Sequence, residues 1–408
     1  MRFTPNAVRT QFSALNQQFN DLMAIFLDGP GGSQVPTQVL NEMTHYLGHY
    51  NSNLGGHYFS SQLTTELILN ARRAAQSLLN TESPDNIVFG ANMTSLTFQL
   101  SRAISRDWKQ DDEVIVTALD HYSNVSSWQQ AAEDKGVLVQ QARINVADGS
   151  LDVDHLLSLL TTKTKVVALT YASNTTGSIV DIKTIIDAAH SVGAMVYIDA
   201  VHFAPHQLVD VQQLGCDFLV CSAYKFFGPH VGIAYVAPKW LQTLRPYKVE
   251  PATDIGPGRF ETGTQSFEAL AGLIACVDYL AQWGNKDDSL RQRLVTSYEQ
   301  YNQHEAALSE RFLTRLSELN GVRLWGKNIA DPAKRTPTFA LTFDHHSPEA
   351  VAQYLARSNI CVWNGHFYAL GLIEQLGLTA TGGVVRVGLM HYNTLDEVDA
   401  LFDALAGL

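Results

Sequence analysis

Met195-Val196-Tyr197-Ile198-Asp199 and Phe218-Leu219-Val220-Cys221-Ser222-Ala223-Tyr224-Lys225-Phe226-Phe227-Gly228-Pro229 are short apolar runs that each lead into hydroxyl or ionisable side chains. Runs of this length, rich in β-branched and aromatic residues, read as strands buried on both faces. Working outward, comparable runs fall at Ile87–Phe89, Glu113–Thr117, Val137–Ile144, Lys165–Thr170, Ala194–Ile198, Asp217–Cys221 and Gly232–Val236. Between them, Gln62–Leu79, Asp181–Val192 and Gln265–Gln282 repeat apolar residues at spacings of three and four, which gives each helix one sheet-facing stripe. Such alternation predicts an α/β fold with a mostly parallel sheet covered on both faces.

The turn-like Gly284-Asn285-Lys286-Asp287-Asp288-Ser289 separates this block from a long helical segment, Leu290 to Leu319. Beyond it, strands are expected at Thr336–Phe343, Ile360–Trp363 and Val384–Leu389, with helices at Pro348–Ala356 and Leu395–Leu405, forming a compact α+β unit. The chain thus divides into an N-terminal segment (1–20) associated with the small domain, a large domain (21–285) and a C-terminal small domain (286–408). A length of 408 residues agrees with more than one core.

Lys and Arg number 28 against 40 Asp and Glu, and the chain is 46% hydrophobic and 17% charged. That balance describes a folded acidic protein and argues against a disordered tail or a nucleic-acid binder. No apolar run reaches the roughly 18–20 residues of a membrane helix, and Met1-Arg2-Phe3-Thr4-Pro5-Asn6 opens no secretory signal. A cytoplasmic protein is expected. Cys216, Cys221, Cys276 and Cys361 lie in apolar stretches without CxxC spacing, so they read as small core residues rather than zinc ligands or a disulfide framework.

In open α/β sheets, ligands bind beyond the carboxyl ends of the strands. The residues there include Asn92-Met93-Thr94, Asp120-His121, Ser173-Asn174, Asp199 with His202, and Ser222 with Lys225. A carboxylate at the end of a buried strand needs a cation or donor opposite it. An amine in apolar surroundings has its pKa lowered and can then form a Schiff base. Asp199 and Lys225 together point to pyridoxal 5'-phosphate, with the amine carrying the aldehyde and the acid holding the pyridine nitrogen protonated. Met93-Thr94-Ser95 precedes the apolar helix Leu96–Ala103, and backbone donors at its start suit a phosphate. Taken singly, Lys225 also reads as a solvated strand-end lysine, Asp199 as a helix N-cap and Thr94 as part of a plain cap.

These motifs, in this order, resemble the class V aminotransferase group of fold-type I pyridoxal-phosphate enzymes, and within it the SufS-like cysteine desulfurases. Ser222-Ala223-Tyr224-Lys225-Phe226-Phe227-Gly228-Pro229 is similar to the family's Ser-Gly-His-Lys-x-x-Gly-Pro, with Tyr224 in place of the usual His. The resemblance implies a seven-stranded, mostly parallel large-domain sheet and a smaller C-terminal α+β domain. It also implies that Lys225 carries the cofactor, Asp199 pairs with its ring nitrogen, His121 stacks on the ring and His202 replaces a Gln that contacts the ring hydroxyl. Asn174 would lie beside that hydroxyl or the substrate carboxylate. Ser222, Thr94 and the Met93 amide would serve the phosphate, Met93 replacing the family's first threonine.

Arg259-Phe260-Glu261-Thr262-Gly263-Thr264-Gln265 resembles the stretch whose threonine reaches the neighbouring subunit's phosphate, which implies a homodimer with Thr264 completing the partner's site. Arg386 matches the arginine that anchors the substrate carboxylate. His57 and Tyr58 are expected at the entrance. The informative departure is Val362-Trp363-Asn364-Gly365-His366-Phe367-Tyr368, which in the desulfurases reads Val-Arg-x-Gly-His-His-Cys. Tyr368 stands at the persulfide cysteine and Trp363 at a substrate-holding arginine. A phenol carries no sulfane sulfur, which leaves β-elimination with C–S cleavage, racemisation or transamination, with Tyr368 as a proton donor or a pocket wall, and, as an alternative, a cysteine desulfurase using a non-standard sulfur acceptor. Trp363 implies a substrate side chain larger or more apolar than that of cysteine.

Two other functional classes are weaker readings. A binding protein without turnover sits poorly with both Lys225 and Arg386, and a nicotinamide dehydrogenase lacks its Gly-x-Gly-x-x-Gly. Asp28-Gly29-Pro30-Gly31-Gly32-Ser33 lacks the Lys-Ser/Thr of a phosphate-binding P-loop and is expected to border the substrate pocket. His202 and His206 have the i, i+4 spacing of metal ligands, but Pro205 opposes the helix that spacing needs, and no metal is expected.

Overall fold

The computed structural model describes residues 3–408. Seven strands form the large sheet: β1 Ile87–Gly90, β2 Glu113–Thr117, β3 Leu138–Ala142, β4 Thr164–Thr170, β5 Met195–Asp199, β6 Phe218–Ser222 and β7 Gly232–Val236. Their order is β1-β7-β6-β5-β4-β2-β3. β7 runs antiparallel to both of its neighbours, and the pairs β6–β5, β5–β4, β4–β2 and β2–β3 are parallel. Successive side chains leave opposite faces of a strand, so Val196 and Ile198 pack into one core and Tyr197 into another across the sheet. The fold expected from the sequence, a mostly parallel sheet covered on both faces, is the one observed.

Helices sit where the apolar spacing puts them, with their ends set by caps. Phe59–Leu79 begins before the predicted Gln62 and stops at Asn80, which takes a left-handed conformation. Ile182–Ser191 starts on Asp181, whose carboxylate accepts the Thr184 N–H. Leu290–Leu316 opens with a reciprocal cap between Ser289 and Gln292. That cap lies in the polar stretch where the domain boundary is expected.

The small-domain sheet has β8 Val322–Trp325, β9 Thr338–Phe343, β10 Trp363–Gly365 and β11 Val384–Gly388, in the order β8-β9-β11-β10 and all antiparallel. β8 was not expected, because its alternation of half-buried and exposed residues is only four residues long. The expected strand Ile360–Trp363 is two pieces. Ile360–Cys361 pairs in parallel with Ile25–Phe26, while Trp363 begins β10 and pairs with Arg386. Residues on the large-domain side of the expected boundary at 20 therefore lie with the small domain: Leu27 belongs to the apolar cluster around Phe312, Phe339 and Val387. Val8, Phe12 and Leu15 of the expected N-terminal segment are buried in the cluster that contains the large-domain core, while Arg9 donates to the Tyr392 carbonyl and pairs with Glu397 of the small domain.

Candidate active site

Parallel strands deliver their last residues to one edge of the sheet. Asp199 ends β5, with Thr170 of β4 and Val220 of β6 as its register partners. Lys225 follows β6 on the single turn Ala223–Lys225. Both line one cavity of about 500 Å³. Met93, Thr94, His121, Asn174, His202, Ser222 and Tyr224, all expected from the sequence, line the same cavity.

Burial raises the Asp199 carboxyl to about 6, against the lowering effect of the Val201 N–H and the Lys225 charge. The Val201 N–H donates to Asp199 Oδ1 at 2.8 Å. Burial and the positive Arg386 lower Lys225 to about 7, while Asp199 and Asp28 oppose that shift. Its ammonium donates to the Pro30 carbonyl and lies 4.9 Å from the centre of the Tyr224 ring. A large fraction of this amine is therefore unprotonated near neutrality, as a nucleophile or base requires.

Burial, helped by Lys225 and Arg386, lowers His121 to about 4, so the ring is neutral at pH 7. Its Nδ1 lies 2.8 Å from Ser123 Oγ and accepts the Ser123 N–H at 3.1 Å, which leaves the proton on Nε2. Asp120, behind it, accepts from Thr117 Oγ1 and from Asn124 Nδ2, the latter at 2.7 Å. Burial raises its carboxyl to about 8.

The end of the cavity expected to take an anion is the start of helix Met93–Ile104. Asn92 caps it through the Ser95 N–H. The Met93 amide, expected to serve a phosphate, donates instead to Ser222 Oγ at 2.9 Å. That contact fixes the serine with its own proton free to donate, leaving Ser222 and Thr94 as the donors presented to the cavity. A Cβ on Gly232 would lie 2.4 Å from the Asn92 carbonyl carbon, so only glycine lets this loop cross β7.

The small domain packs behind two of the lining residues, His202 and Asn174. His202 Nε2 lies 3.1 Å from Thr336 Oγ1 and 3.0 Å from Thr338 Oγ1, so that nitrogen is engaged across the domain seam. Gly177, at φ +73°, brings the Asn174 loop so close that a Cβ would sit 2.5 Å from the Thr338 carbonyl. Arg386, buried on β11, donates through Nη1 to the Asn174 carbonyl at 3.0 Å.

Arg386 and several other expected residues lie outside the cavity wall. Trp363 is 53% exposed, with its indole nitrogen against Gly31. Tyr368 is 65% exposed, its ring centre 5.1 Å from that of His121. His57, Tyr58 and Thr264 are exposed. Within one chain, the entrance expected at His57 and Tyr58 is not part of the wall. Sequence reading missed His230, which lines the cavity and stacks on Tyr224 at 4.8 Å, although it directly follows the Gly228-Pro229 pair. It also missed the charge at Asp28, whose carboxyl is raised by burial and stabilised as an anion by Arg386 and Lys225.

The donor set fits pyridoxal phosphate: an amine of lowered pKa and a buried carboxyl share one cavity, beside a neutral imidazole and a helix N-terminus with hydroxyl donors. Among the described residues, no group of three His, Cys, Asp or Glu is placed to hold a metal ion.

The buried acids also set a pH dependence of the cofactor-free protein. Asp120 and Asp199 hold their protons in the fold to about 8 and about 6, above the ordinary 3.8. Between about 4 and those values the folded state binds more protons than the unfolded one, so stability falls as pH rises, by up to ~1.4 kcal/mol per pH unit for each group. Lys225 acts oppositely, adding stability as pH rises from about 7 toward 10.5. Urea midpoints measured between pH 4 and 8 should fall less steeply for Asp120→Asn than for wild type; parallel curves would contradict this assignment.

The sequence profile of the family described as Aminotransferase class-V matches residues 25–401. The chain is 33% identical over 413 residues to the aminotransferase-like protein FGM3 of Gibberella zeae, covering 99% of this chain and 98% of that one. It is 30% identical over 412 residues to a probable cysteine desulfurase of Halalkalibacterium halodurans, covering 98% and 96%. Among solved structures, the cysteine desulfurase CsdA of Escherichia coli superposes with a TM-score of 0.85 at 25% identity, covering 100% of this chain and 98% of that one. The apo cysteine desulfurase of Thermococcus onnurineus NA1 shares the fold, with a TM-score of 0.88 at 24% identity over the whole of both chains.

Proposed function

Because this chain belongs to the class-V aminotransferase family and is a pyridoxal-phosphate-dependent, cysteine desulfurase-like enzyme, we propose that it acts at Cα of an amino acid, by β-elimination, racemisation or transamination, without passing sulfur through a protein persulfide. Bound beside Lys225, the cofactor supplies an aldehyde for the substrate amine and an electron sink for charge developing at Cα. Asp199 would hold the ring nitrogen, and His121 would cover the ring. Ser222 and Thr94, which line the same cavity, would hold the phosphate. Arg386 takes the substrate carboxylate, for which its planar fork is suited. Lys225, once free, accepts the Cα proton; its lowered pKa gives it the neutral form a base needs.

The observation carrying this reading is that Lys225 and Asp199 line one cavity, and the segment around Tyr368, which resembles the desulfurase cysteine loop with a phenol at the cysteine position, argues against a persulfide relay. Cys361 is no substitute: it is half-buried in the ladder with Phe26, and burial raises its thiol pKa, which keeps the thiolate scarce. Tyr368, exposed beside His121, is either a proton donor or a wall of the substrate entrance.

A homodimer is supported by exposed apolar side chains on the large domain, including Leu47, Phe59, Val249 and Ile255, which a partner would cover. Thr264, exposed and outside its own chain's cavity, is available to the partner's phosphate.

Purified holoenzyme incubated with an amino-acid panel should yield pyruvate with ammonia, an α-keto acid, or the D-isomer. After incubation with cysteine it should hold no cyanolysable persulfide. A persulfide on a residue needed for turnover would return the protein to the desulfurase reaction.

A further inference from the structure

Phe367 takes the place of a histidine in the desulfurase-like segment, and its backbone is unusual. Phe367 and Tyr368 are consecutive non-glycine residues at φ +50° and +59°. Left-handed conformations at such residues persist only where the surroundings hold them. Here both carbonyls are held by the large domain: Asn174 Nδ2 donates to the Phe367 oxygen at 3.0 Å, and the Tyr122 N–H donates to the Tyr368 oxygen at 2.8 Å. The Tyr368 N–H in turn donates to His366 Nδ1 at 3.1 Å.

The result of this constrained turn is the position of one ring. The guanidinium carbon of Arg386 lies 4.0 Å from the centre of the Phe367 ring. The ring face constrains the guanidinium plane, and the Asn174 carbonyl, 3.0 Å from Nη1, constrains its rotation. Nε is buried with no partner among the described residues. Arg386, Asn174 and Phe367 thus form a closed triangle in which each fixes another.

We propose that Phe367 is a positioning residue that holds Arg386 flat for the carboxylate of the substrate, and so makes the site selective for amines that carry one. The inference rests on the reading of this site as one for α-amino acids. A cation on an aromatic face gains more as water is excluded, so the benefit of the ring is greatest when a carboxylate has closed over the guanidinium.

The test is an equilibrium titration of the cofactor's visible absorbance in holoenzyme. Wild type, Phe367→Leu and Phe367→Trp are each titrated with the panel amino acid giving the largest change and with the amine lacking only its carboxylate. Phe367→Leu is expected to weaken amino-acid binding about threefold to thirtyfold, to leave the amine within twofold, and to be reversed in Phe367→Trp. Equal weakening of both ligands would mean that the ring only supports the turn, and an unchanged amino-acid affinity would mean that it does not act on Arg386; either overturns the proposal while leaving the amino-acid reading intact. If no amino acid alters the wild-type spectrum, the amino-acid reading fails and this inference falls with it.

Discussion

Lys225→Ala should lose at least about four orders of magnitude in turnover on any substrate found, because one amine is both the cofactor's attachment point and the base at Cα. The protein should still fold. Among the described residues the side chain makes one hydrogen bond, to the Pro30 carbonyl, and a pKa lowered to about 7 means that the fold disfavours the charge this lysine keeps in the unfolded chain at neutral pH. Removing it should therefore leave the melting temperature of the cofactor-free protein unchanged or raised. Borohydride treatment followed by mass spectrometry should fix cofactor on Lys225 of wild type and on no residue of the variant. Residual activity above one percent, or cofactor fixed elsewhere, would remove Lys225 from its assigned place.

Asp199→Asn separates chemistry from stability in a different way. Asparagine keeps an oxygen for the Val201 N–H, which now reaches Asp199 Oδ1 at 2.8 Å, but brings no negative charge to a ring nitrogen. Loss of one preorganised electrostatic group typically lowers kcat by about 10²–10³, and a fall of that order is expected. In the cofactor-free protein the effect reverses. The carboxyl is raised to about 6, so at pH 7 and above the ionised acid is disfavoured in the fold relative to the unfolded chain. The neutral side chain escapes that penalty, and the variant should melt higher than wild type at pH 8 and alike at pH 4. A variant that is both inactive and unstable at pH 8 would show that the carboxylate serves the fold.

Much of the site is legible from strand ends. Asp199, Ser222 and Lys225 are placed by their own strands, and a buried strand announces itself by an unbroken apolar run. Where the chain supplied less periodicity, the reading stopped short. β8 alternates over too few residues, and Ile360–Cys361 has its partner at Ile25–Phe26, in a two-residue ladder with no pattern of its own.

The amino-acid sequence by itself determined the α/β class, the strands that meet at the site and the chemistry at their ends, since periodicity and strand termination are local properties of neighbouring residues. Only the tertiary structure decided which polar atoms are already engaged: Met93 N–H with Ser222, His202 with Thr336 and Thr338, Asn174 with a carbonyl 193 positions away, and Arg386 against the Phe367 ring. Those choices follow from tertiary packing, within each domain for Met93 and Arg386 and across the domain seam for His202 and Asn174, where a donor takes the acceptor that burial brings within reach, and no spacing along the chain encodes that distance.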